Sequence, residues 1–328
     1  MDPIINWGII APGRISSSFA KALNSTENAN IRAVYGRNRD KACDFAEKFN
    51  VEESYDDINA FLDDEKIQVV YVATPHPMHK VFVKKCLEAK KAVLCEKPMT
   101  INEKDTRELV EVAKENKTFL MEAMWSRFTP AMTQVKNWIK NEEIGELKML
   151  EGSFGFQSSR DPKSRLYDLE LAGGALLDVG IYPISVGTYL LEEFPIDISS
   201  QLCIGPTGVD EFGSAVMKYA NDKLLSVSFG INCQTKQNFI IYGSKGFIEI
   251  SAPFYAATKA TLNKNGSDPL VFEKPFNCNG YEYEVLAVMD CLNKKLLEHP
   301  LCKHLDSIAI ANIMDKIRSE NGLVYPGE

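Results

Sequence analysis

The stretch Lys91-Ala92-Val93-Leu94-Cys95-Glu96-Lys97-Pro98-Met99 decides how the first part of the chain is interpreted. A short apolar run that ends in a carboxylate, an ammonium group and a proline is typical of a buried parallel strand that leads into a loop. Ligands of open α/β sheets bind beyond the carboxyl ends of the strands, so Lys97 lies where chemistry is expected. A surface lysine in a strand-to-helix loop would give the same pattern, and this motif alone leaves both interpretations open.

The composition indicates an ordinary globular protein with a small-molecule ligand. The 328 residues suffice for two domains, and 45% of them are hydrophobic and 25% charged. A net charge of −8 without a basic block argues against nucleic acid and an anionic membrane as partners. The eight cysteines and four histidines lack metal-site spacing, and no segment has a signal-peptide or membrane-spanning pattern. We expect a cytoplasmic protein with reduced cysteines and no metal.

A strand over residues 4–10 is followed by the turn Ala11-Pro12-Gly13-Arg14-Ile15-Ser16 and a helix. This order is typical of a dinucleotide site, where free N–H groups of the helix start bind a pyrophosphate. Of the Gly-x-Gly-x-x-Gly positions only Gly13 is kept, since Ala11 and Ser16 replace the other two glycines. We expect Ala11, Gly13, Arg14 and Ile15 to contact the cofactor, although a plain strand-to-helix turn would look similar.

The second strand, residues 31–35, ends in Gly36-Arg37-Asn38-Arg39. An NAD site carries an acidic residue near this point for the ribose hydroxyl, whereas arginine suits the 2′-phosphate of NADP. Arg37, Asn38 and Arg39 therefore predict NADP(H) as the cofactor, with NAD possible. Two solvated arginines at a helix start are the alternative.

Strands alternate with helical segments through residue 122, which predicts a doubly wound parallel sheet. Period-2 segments then follow one another at 146–156, 214–219, 224–231, 239–242 and 247–250, which predicts an open, mainly antiparallel sheet. The fold class is thus an α/β Rossmann domain over 1–122 plus an α+β domain over 123–328. Because one apolar face of the second sheet needs a cover, we expect a homodimer that pairs through it.

Asp178 and Tyr182 are the candidate reactive residues of the second half. They are spaced i and i+4, which places them on one face if the segment is helical. Gly180 and Gly187 keep that helix thin and predict close packing against it. A buried helix whose tyrosine only borders a polar pocket is the alternative. The preceding loop, 157–170, is either a mobile cover over the substrate or a solvated charged loop.

Taken together, the motifs resemble the glucose–fructose oxidoreductase, inositol dehydrogenase and rhizopine catabolism (Gfo/Idh/MocA) family. They occur in the family's order: the glycine turn, Gly36-Arg37-Asn38, Thr74-Pro75-His76 with His79, Glu96-Lys97-Pro98, Arg127-Phe128 before Pro130, and Gly173-Gly174 through Asp178 and Tyr182. Most members carry histidine where this chain has Tyr182. In this respect the chain resembles the branch of the family that acts on sugars and vicinal diols with NADP.

The resemblance implies hydride transfer between nicotinamide and a carbohydrate or vicinal-diol carbon, with Lys97, Asp178 and Tyr182 as catalytic residues. Trp125, Phe154, Asp178 and Tyr182 are then expected to contact substrate. Further cofactor contacts are expected from Thr74, Pro75, His76, His79, Glu96, Lys97, Trp125 and Arg127, although a histidine near a helix start, such as His79, is also often structural.

The chemistry suggests roles within this group. Hydride loss from a carbinol carbon requires a group that takes the hydroxyl proton, and Tyr182 is the expected base. Lys97 would stabilise its phenolate and Asp178 would orient the pair, or the tyrosine and lysine would share the proton. An NAD-dependent inositol or amino-sugar dehydrogenase and a non-catalytic NADP-binding regulator on the same fold are the alternatives.

Overall fold

Six short strands in the first part of the chain pair in parallel. They are β1 (Ile5–Ile10), β2 (Ala29–Tyr35), β3 (Glu53–Tyr55), β4 (Val69–Val72), β5 (Ala92–Glu96) and β6 (Leu120–Ala123). The order across the sheet is β3-β2-β1-β4-β5-β6, so the direction of winding reverses between β1 and β4. The intervening helices are α1 (Arg14–Ser25), α2 (Arg39–Phe49), α3 (Ile58–Leu62), α4 (His76–Glu88) and α5 (Glu103–Asn116). Such a reversal creates the crevice in which doubly wound folds bind nucleotides.

This computed structural model describes residues 3–328, which divide into two compact units. Within the described residues, unit 1 comprises 3–100, Lys104–Trp125 and Phe276–Ile308, and unit 2 comprises Ile101–Glu103, Ser126–Pro275 and Ala309–Glu328. The core of unit 1 is formed by the apolar strands, since every residue of β4, β5 and β6 is buried. The return of residues 276–308 brings helix α8 (Glu282–Asn293) to unit 1, where the Asn279 side chain donates to the Ser18 carbonyl at 2.8 Å.

Unit 2 contains an eight-stranded sheet. Its strands are β7 (Leu147–Gly155), β8 (Asp197–Ile204), β9 (Asp210–Lys218), β10 (Leu224–Gly230), β11 (Phe239–Gly243), β12 (Gly246–Ile250), β13 (Lys259–Lys264) and β14 (Leu270–Glu273). Their order is β14-β13-β12-β11-β7-β10-β9-β8, and only the β7–β10 pair is parallel. Burial alternates along β9, as a strand with one covered face requires. The remaining helices are α6 (Pro130–Lys140), α7 (Ile181–Leu191) and α9 (His304–Glu320), the last of which crosses the unit boundary.

A π-helical turn, Leu176–Gly180, leads directly into α7. Gly187 and Gly180 lie against β10: a Cβ on Gly187 would be 2.4 Å from the Leu225 side chain, and one on Gly180 would be 3.0 Å from Phe229. The close packing predicted from these glycines is therefore present. The longer helical segment Leu169–Leu191 is apolar enough to cross a membrane by length and composition, but 83% of its most apolar window is buried. It is the central helix of unit 2.

The predicted fold class is confirmed: a parallel Rossmann sheet is followed by a mainly antiparallel sheet. The predicted boundary at residue 122 falls near the end of the segment Lys104–Trp125, but a single cut omits the return of Phe276–Ile308 to unit 1. The physical reason is long-range packing, since Phe19 of α1 makes an edge contact with Tyr281, with ring centroids 6.4 Å apart.

Candidate active site

The turn between β1 and α1 keeps its shape without two of the usual glycines. Ala11 adopts a left-handed conformation with φ of 74°, and its carbonyl accepts hydrogen bonds from the Gly13 N–H at 2.8 Å and the Ser16 hydroxyl at 2.6 Å. The serine thus braces the turn where a third glycine is usual. Gly13 precedes α1 without a side-chain cap, and a Cβ there would meet nothing within 4 Å. The open space and the uncapped helix start suit a pyrophosphate.

A cleft of about 640 Å³ extends from this turn. Gly36 shapes its wall, because a Cβ at this position would lie 2.9 Å from the Pro12 ring. The cleft is lined by Ile10, Ala11, Pro12, Gly13, Tyr35, Gly36, Arg37, Asn38, Lys41, Thr74, Pro75, Met78 and Phe82. Its mixture of apolar walls, an uncapped helix start and two cations fits a dinucleotide.

The three residues predicted to recognise a 2′-phosphate have different surroundings. Arg37 lines the cleft. Asn38 also lines it, and its side chain accepts the Lys41 N–H at 2.9 Å as the N-cap of α2. Arg39 is absent from the lining and forms an ion pair with Asp56 at 3.1 Å. Lys41 was missed by sequence reasoning, although its position in the first turn of α2, on the side of the Asn38 cap, was a usable signal.

Glu96 ends β5 inside a buried polar cluster. It accepts a hydrogen bond from the Tyr71 hydroxyl, and the Lys97 N–H reaches its other oxygen at 3.2 Å. Burial raises the pKa of Glu96, while Tyr71 and the Lys97 charge act in the opposite direction. Burial and the Glu96 charge also raise the pKa of Tyr71 well above its ordinary value. Lys97 itself is half-buried, at the carboxyl end of its strand as predicted.

His79 connects two loops at this edge. Its Nδ1 lies 2.8 Å from the Pro98 carbonyl and its Nε2 lies 2.7 Å from the Thr74 carbonyl. Both partners are carbonyl oxygens, so each contact ties the ring to the main chain of a different loop. His76 packs beside it, with ring centroids 5.9 Å apart. These contacts give His79 a bracing role, and its contact with a cofactor stays a prediction.

Trp125 is held by a segment distant in sequence. It stacks on Tyr281 with ring centroids 4.6 Å apart, and Gly280, with φ of +96°, leaves room for it. A Cβ on Gly280 would lie 2.5 Å from the indole. Glu282 fixes this turn by accepting the N–H groups of Cys278, Asn279 and Gly280. No local pattern in the sequence indicates this support.

In unit 2, an aromatic cluster surrounds Tyr182. Phe154 stacks on Tyr255 with centroids 4.1 Å apart, and the Tyr182 ring lies 5.5 Å from Phe154 and 5.3 Å from Tyr255. Burial raises the pKa of Tyr255. Tyr255 was missed by sequence reasoning because it follows β12, far from the motifs. The structure brings the predicted substrate contacts Phe154 and Tyr182 together. The stacked rings of Phe154 and Tyr255 form an apolar wall beside the Tyr182 phenol.

Asp178 is one residue of the π-helical turn, and Tyr182 belongs to α7. The segment is helical, but its first part is a π-helical turn, which is wider than an α-helix; that the two side chains act together stays a prediction. The Asp178 carboxylate forms an ion pair with Arg165 at 2.8 Å, and the arginine side chain is 47% exposed. Loop 157–170 thus provides a cation that contacts a predicted catalytic carboxylate.

Arg127 is buried in unit 2. Its guanidinium donates to the Ser185 hydroxyl at 3.0 Å and lies 5.2 Å from the Tyr189 ring centroid. Both partners belong to α7, so these contacts attach the segment around Arg127 to that helix. The prediction that Arg127 contacts a cofactor remains a prediction.

The uncapped turn, the switch-point crevice and the cleft define a dinucleotide-binding class of protein. Comparison with known proteins identifies the family. Residues 5–124 match the oxidoreductase family with an NAD-binding Rossmann fold, and residues 132–249 match the Gfo/Idh/MocA C-terminal domain. The chain belongs to the Gfo/Idh/MocA family. It is an oxidoreductase with an NAD(P)-binding Rossmann domain, as predicted.

Several relatives match over nearly the full length. Trans-1,2-dihydrobenzene-1,2-diol dehydrogenase of Mus musculus is 35% identical over 98% of each chain. The Xenopus laevis protein of the same name is 34% identical and covers 98% of this chain and 99% of its own. Among solved structures, the 3-ketoreductase KijD10 from Actinomadura kijaniata with NADP and TDP-benzene has a TM-score of 0.86 at 24% identity, over 97% of this chain and 98% of its own. Levoglucosan dehydrogenase with NADH and levoglucosan has a TM-score of 0.87 at 21% identity, over 97% of both chains.

Proposed function

We propose that the protein is an NADP(H)-dependent dehydrogenase of vicinal diols or sugars, with Lys97, Asp178 and Tyr182 as its reaction centre. The observation that carries this proposal is the placement of Tyr182 beside the Phe154–Tyr255 stack, with Asp178 in the preceding turn. Aromatic faces bind the apolar side of a substrate ring, and a neighbouring phenol can exchange a proton with a hydroxyl of that substrate. The names of the diol dehydrogenase relatives support the same substrate class.

A nicotinamide dinucleotide held by the turn at Gly13 and by Arg37 would supply the hydride chemistry of the reaction. The chain's own residues would manage the proton. In the oxidation direction, the substrate C–H bond breaks with both electrons leaving as hydride, and the hydroxyl proton passes to Tyr182. The tyrosine needs help near neutral pH, because an ordinary phenol has a pKa of about 10. The Lys97 ammonium would stabilise the phenolate and Asp178 would orient the phenol.

The cleft favours NADP over NAD. Arg37 and Lys41 both line it, and neither forms an ion pair with a carboxylate within residues 3–328. Two cations suit a phosphate monoester, whereas a ribose hydroxyl would leave both charges without a partner. The same residues would therefore hold the 2′-phosphate, and the uncapped start of α1 would hold the pyrophosphate.

A turnover assay tests the proposal. The protein is mixed with NADP⁺ or NAD⁺ and a panel of dihydrodiols, aldoses and inositols while nicotinamide absorbance is followed. We expect reduction of NADP⁺ with a diol or an aldose. Cofactor binding without turnover on any of them would favour a regulator, and turnover only with inositol and NAD⁺ would favour the NAD-dependent inositol dehydrogenase.

The outer face of the unit 2 sheet supports a homodimer. Met149, Leu224 and Phe247 on three strands are each more than a third exposed, and the strand register brings Leu224 and Tyr242 beside Met149. This apolar patch, bordered by Glu151 and Glu249, suits a second copy of the same face. We expect a dimeric mass in light scattering that Met149→Glu converts to a monomeric one. The protein would act in the cytoplasm, where its eight free cysteines stay reduced.

A further inference from the structure

Asp210 is a fully buried carboxyl at the start of β9, outside the predicted reaction centre. Its Oδ2 accepts the Leu176 N–H at 2.6 Å, at the beginning of the π-helical turn that contains Asp178. Within residues 3–328 its Oδ1 has no hydrogen-bond partner. The contact requires a glycine: Gly174 has φ of +111°, and a Cβ there would lie 2.0 Å from Oδ1. The chain is therefore shaped to bring this carboxyl to the helix start.

A second side chain holds the same turn. The Tyr325 hydroxyl donates to the Gly173 carbonyl at 3.1 Å, and the tyrosine is 1% exposed. The Arg318 guanidinium lies 4.8 Å from the Tyr325 ring centroid and forms ion pairs of 2.6 Å with Asp315 and Glu328. The turn at Gly173 and Gly174 is thus fixed from two sides by residues that are distant in sequence.

The charges around Asp210 come from three elements. On α9 and the segment after it, Arg318 favours the charged carboxylate, while Glu328 and Asp315 are paired with that arginine. On β9 itself, Glu211 is occupied by the Asn232 side chain. On the helix, Asp178 is paired with Arg165. Asp210 is left with the backbone N–H groups of the helix start as its close partners.

We propose that Asp210 is a positioning residue, whose carboxylate holds the start of the helix that presents Asp178 and Tyr182 and whose protonation loosens that hold. The inference rests on the proposed function, since it assigns a role in the same reaction centre. A carboxylate at a helix start bonds more strongly to N–H groups than the neutral acid does, and it also complements the helix dipole.

Stability and activity are then expected to respond to pH in opposite directions. Burial raises the pKa of Asp210 to about 7, although the Leu176 and Ala175 N–H groups favour its charged form. Because the folded pKa exceeds the unfolded one, the stability that Asp210 contributes is fully present below about pH 4 and is lost as the pH rises through about 7. The hold on the helix, in contrast, needs the carboxylate and weakens as the pH falls through about 7. A purely structural residue would change activity and stability together.

The test compares wild type with Asp210→Asn, which keeps the size and an acceptor oxygen but cannot ionise. Asp57→Asn is the matched control, because Asp57 caps α3 by accepting the Asn59 N–H at 2.8 Å in unit 1. We expect kcat of Asp210→Asn at pH 8 to fall about tenfold, with the KM for cofactor unchanged. We also expect the limb near pH 7 in the wild-type kcat profile to disappear. Asp57→Asn should keep both the wild-type kcat and the limb.

A readout without turnover separates this proposal from the proposed function. Hydrogen exchange of the Ala175 and Leu176 amides, expressed as protection factors relative to the other amides of α7, should show about tenfold weaker protection at pH 6 than at pH 8 in wild type and no such difference in Asp210→Asn. Tyr325→Phe, which removes only the hydroxyl, should weaken protection at both pH values. Equal protection and an unchanged kcat profile in Asp210→Asn would overturn the proposal. So would a kcat loss that is equal at every pH and parallels a fall in Tm.

Discussion

The cleft of unit 1 and the aromatic site of unit 2 are built in different ways. The cleft owes its shape to the main chain: the left-handed Ala11, the open Gly13 and the close approach of Gly36 to Pro12. The site in unit 2 is assembled from side chains on separate elements, such as Phe154 on β7 and Tyr255 after β12. A site made of backbone is encoded locally, whereas a site made of converging side chains depends on the whole sheet.

The largest effect is expected on the side-chain site. Tyr182→Phe removes the proposed proton acceptor, so kcat should fall by about 10²–10⁴-fold with the Kd for NADP(H) nearly unchanged. Tyr255→Phe is the matched control, because it removes a hydroxyl from the same aromatic cluster and keeps the ring stack. Steady-state kinetics and cofactor titration measure both. If the two variants lose kcat equally, Tyr182 has no special role.

The next largest effect is expected on cofactor binding, and it distinguishes an arginine that lines the cleft from one that does not. Arg37→Ala should weaken NADP(H) binding by about 10–100-fold and leave NAD(H) binding unchanged, since a hydrogen bond to a charged group contributes about 1.5–3 kcal/mol. Arg39→Ala should change the NADP(H) affinity much less, because Arg39 is paired with Asp56. Fluorescence titration of both variants decides the matter. A larger loss with Arg39→Ala would restore that arginine as the phosphate ligand.

Two buried glutamates on α8 of unit 1 differ in hydrogen bonding, and their contributions to stability should therefore depend on pH in opposite ways. Glu284 has no hydrogen-bond partner for either oxygen within residues 3–328, and burial raises its pKa well above the ordinary value. Its contribution to stability is therefore present below about pH 4.5 and is lost as the pH rises. Glu284→Met should raise the free energy of unfolding by about 1–3 kcal/mol at pH 8 and by less at pH 5.

Glu282 should behave in the opposite way. Burial opposes its charge, but the N–H groups of Cys278, Asn279 and Gly280 hold its pKa below the ordinary value. Its stabilisation is present above about pH 4.5 and is lost as the pH falls further. Glu282→Gln should lower the free energy of unfolding by about 1–3 kcal/mol at pH 7 and by less at pH 4. Urea unfolding at each pH tests both variants, and parallel pH trends would contradict this account.

The smallest effect concerns the strained turn. Ala11 adopts a conformation that costs a residue with a side chain about 1–2 kcal/mol. Glycine avoids this cost but loses more conformational entropy on folding, which offsets part of the gain. Ala11→Gly should therefore raise the free energy of unfolding by about 0.5–1 kcal/mol, measured as a higher Tm. Ser16→Ala should lower it by a similar amount, because the Ala11 carbonyl loses the hydroxyl that braces it. An unchanged Tm in both variants would mean that the turn carries no strain.

Local patterns predicted the parallel sheet, the cleft at Gly13 and Arg37, and the position of Lys97 at the end of β5. They failed where distant segments decide the geometry. Tyr281 and Gly280 support Trp125 from the other end of the chain, and Asp210 reaches the helix start from β9. The π-helical turn at Asp178 also has no signature in residue spacing, because its period differs from that of an α-helix by less than a residue.

The return of residues 276–308 to unit 1 has a consequence for synthesis and engineering. Six strands of the nucleotide-binding unit leave the ribosome well before Tyr281, so Phe19 and Trp125 lack this aromatic partner while unit 2 is being made. A fragment that stops at residue 125 would keep the phosphate turn but would lack the Tyr281 ring that packs on Phe19 and Trp125. Transplanting this nucleotide-binding unit into another scaffold therefore requires two pieces of gene, and the shorter piece acts as its cover.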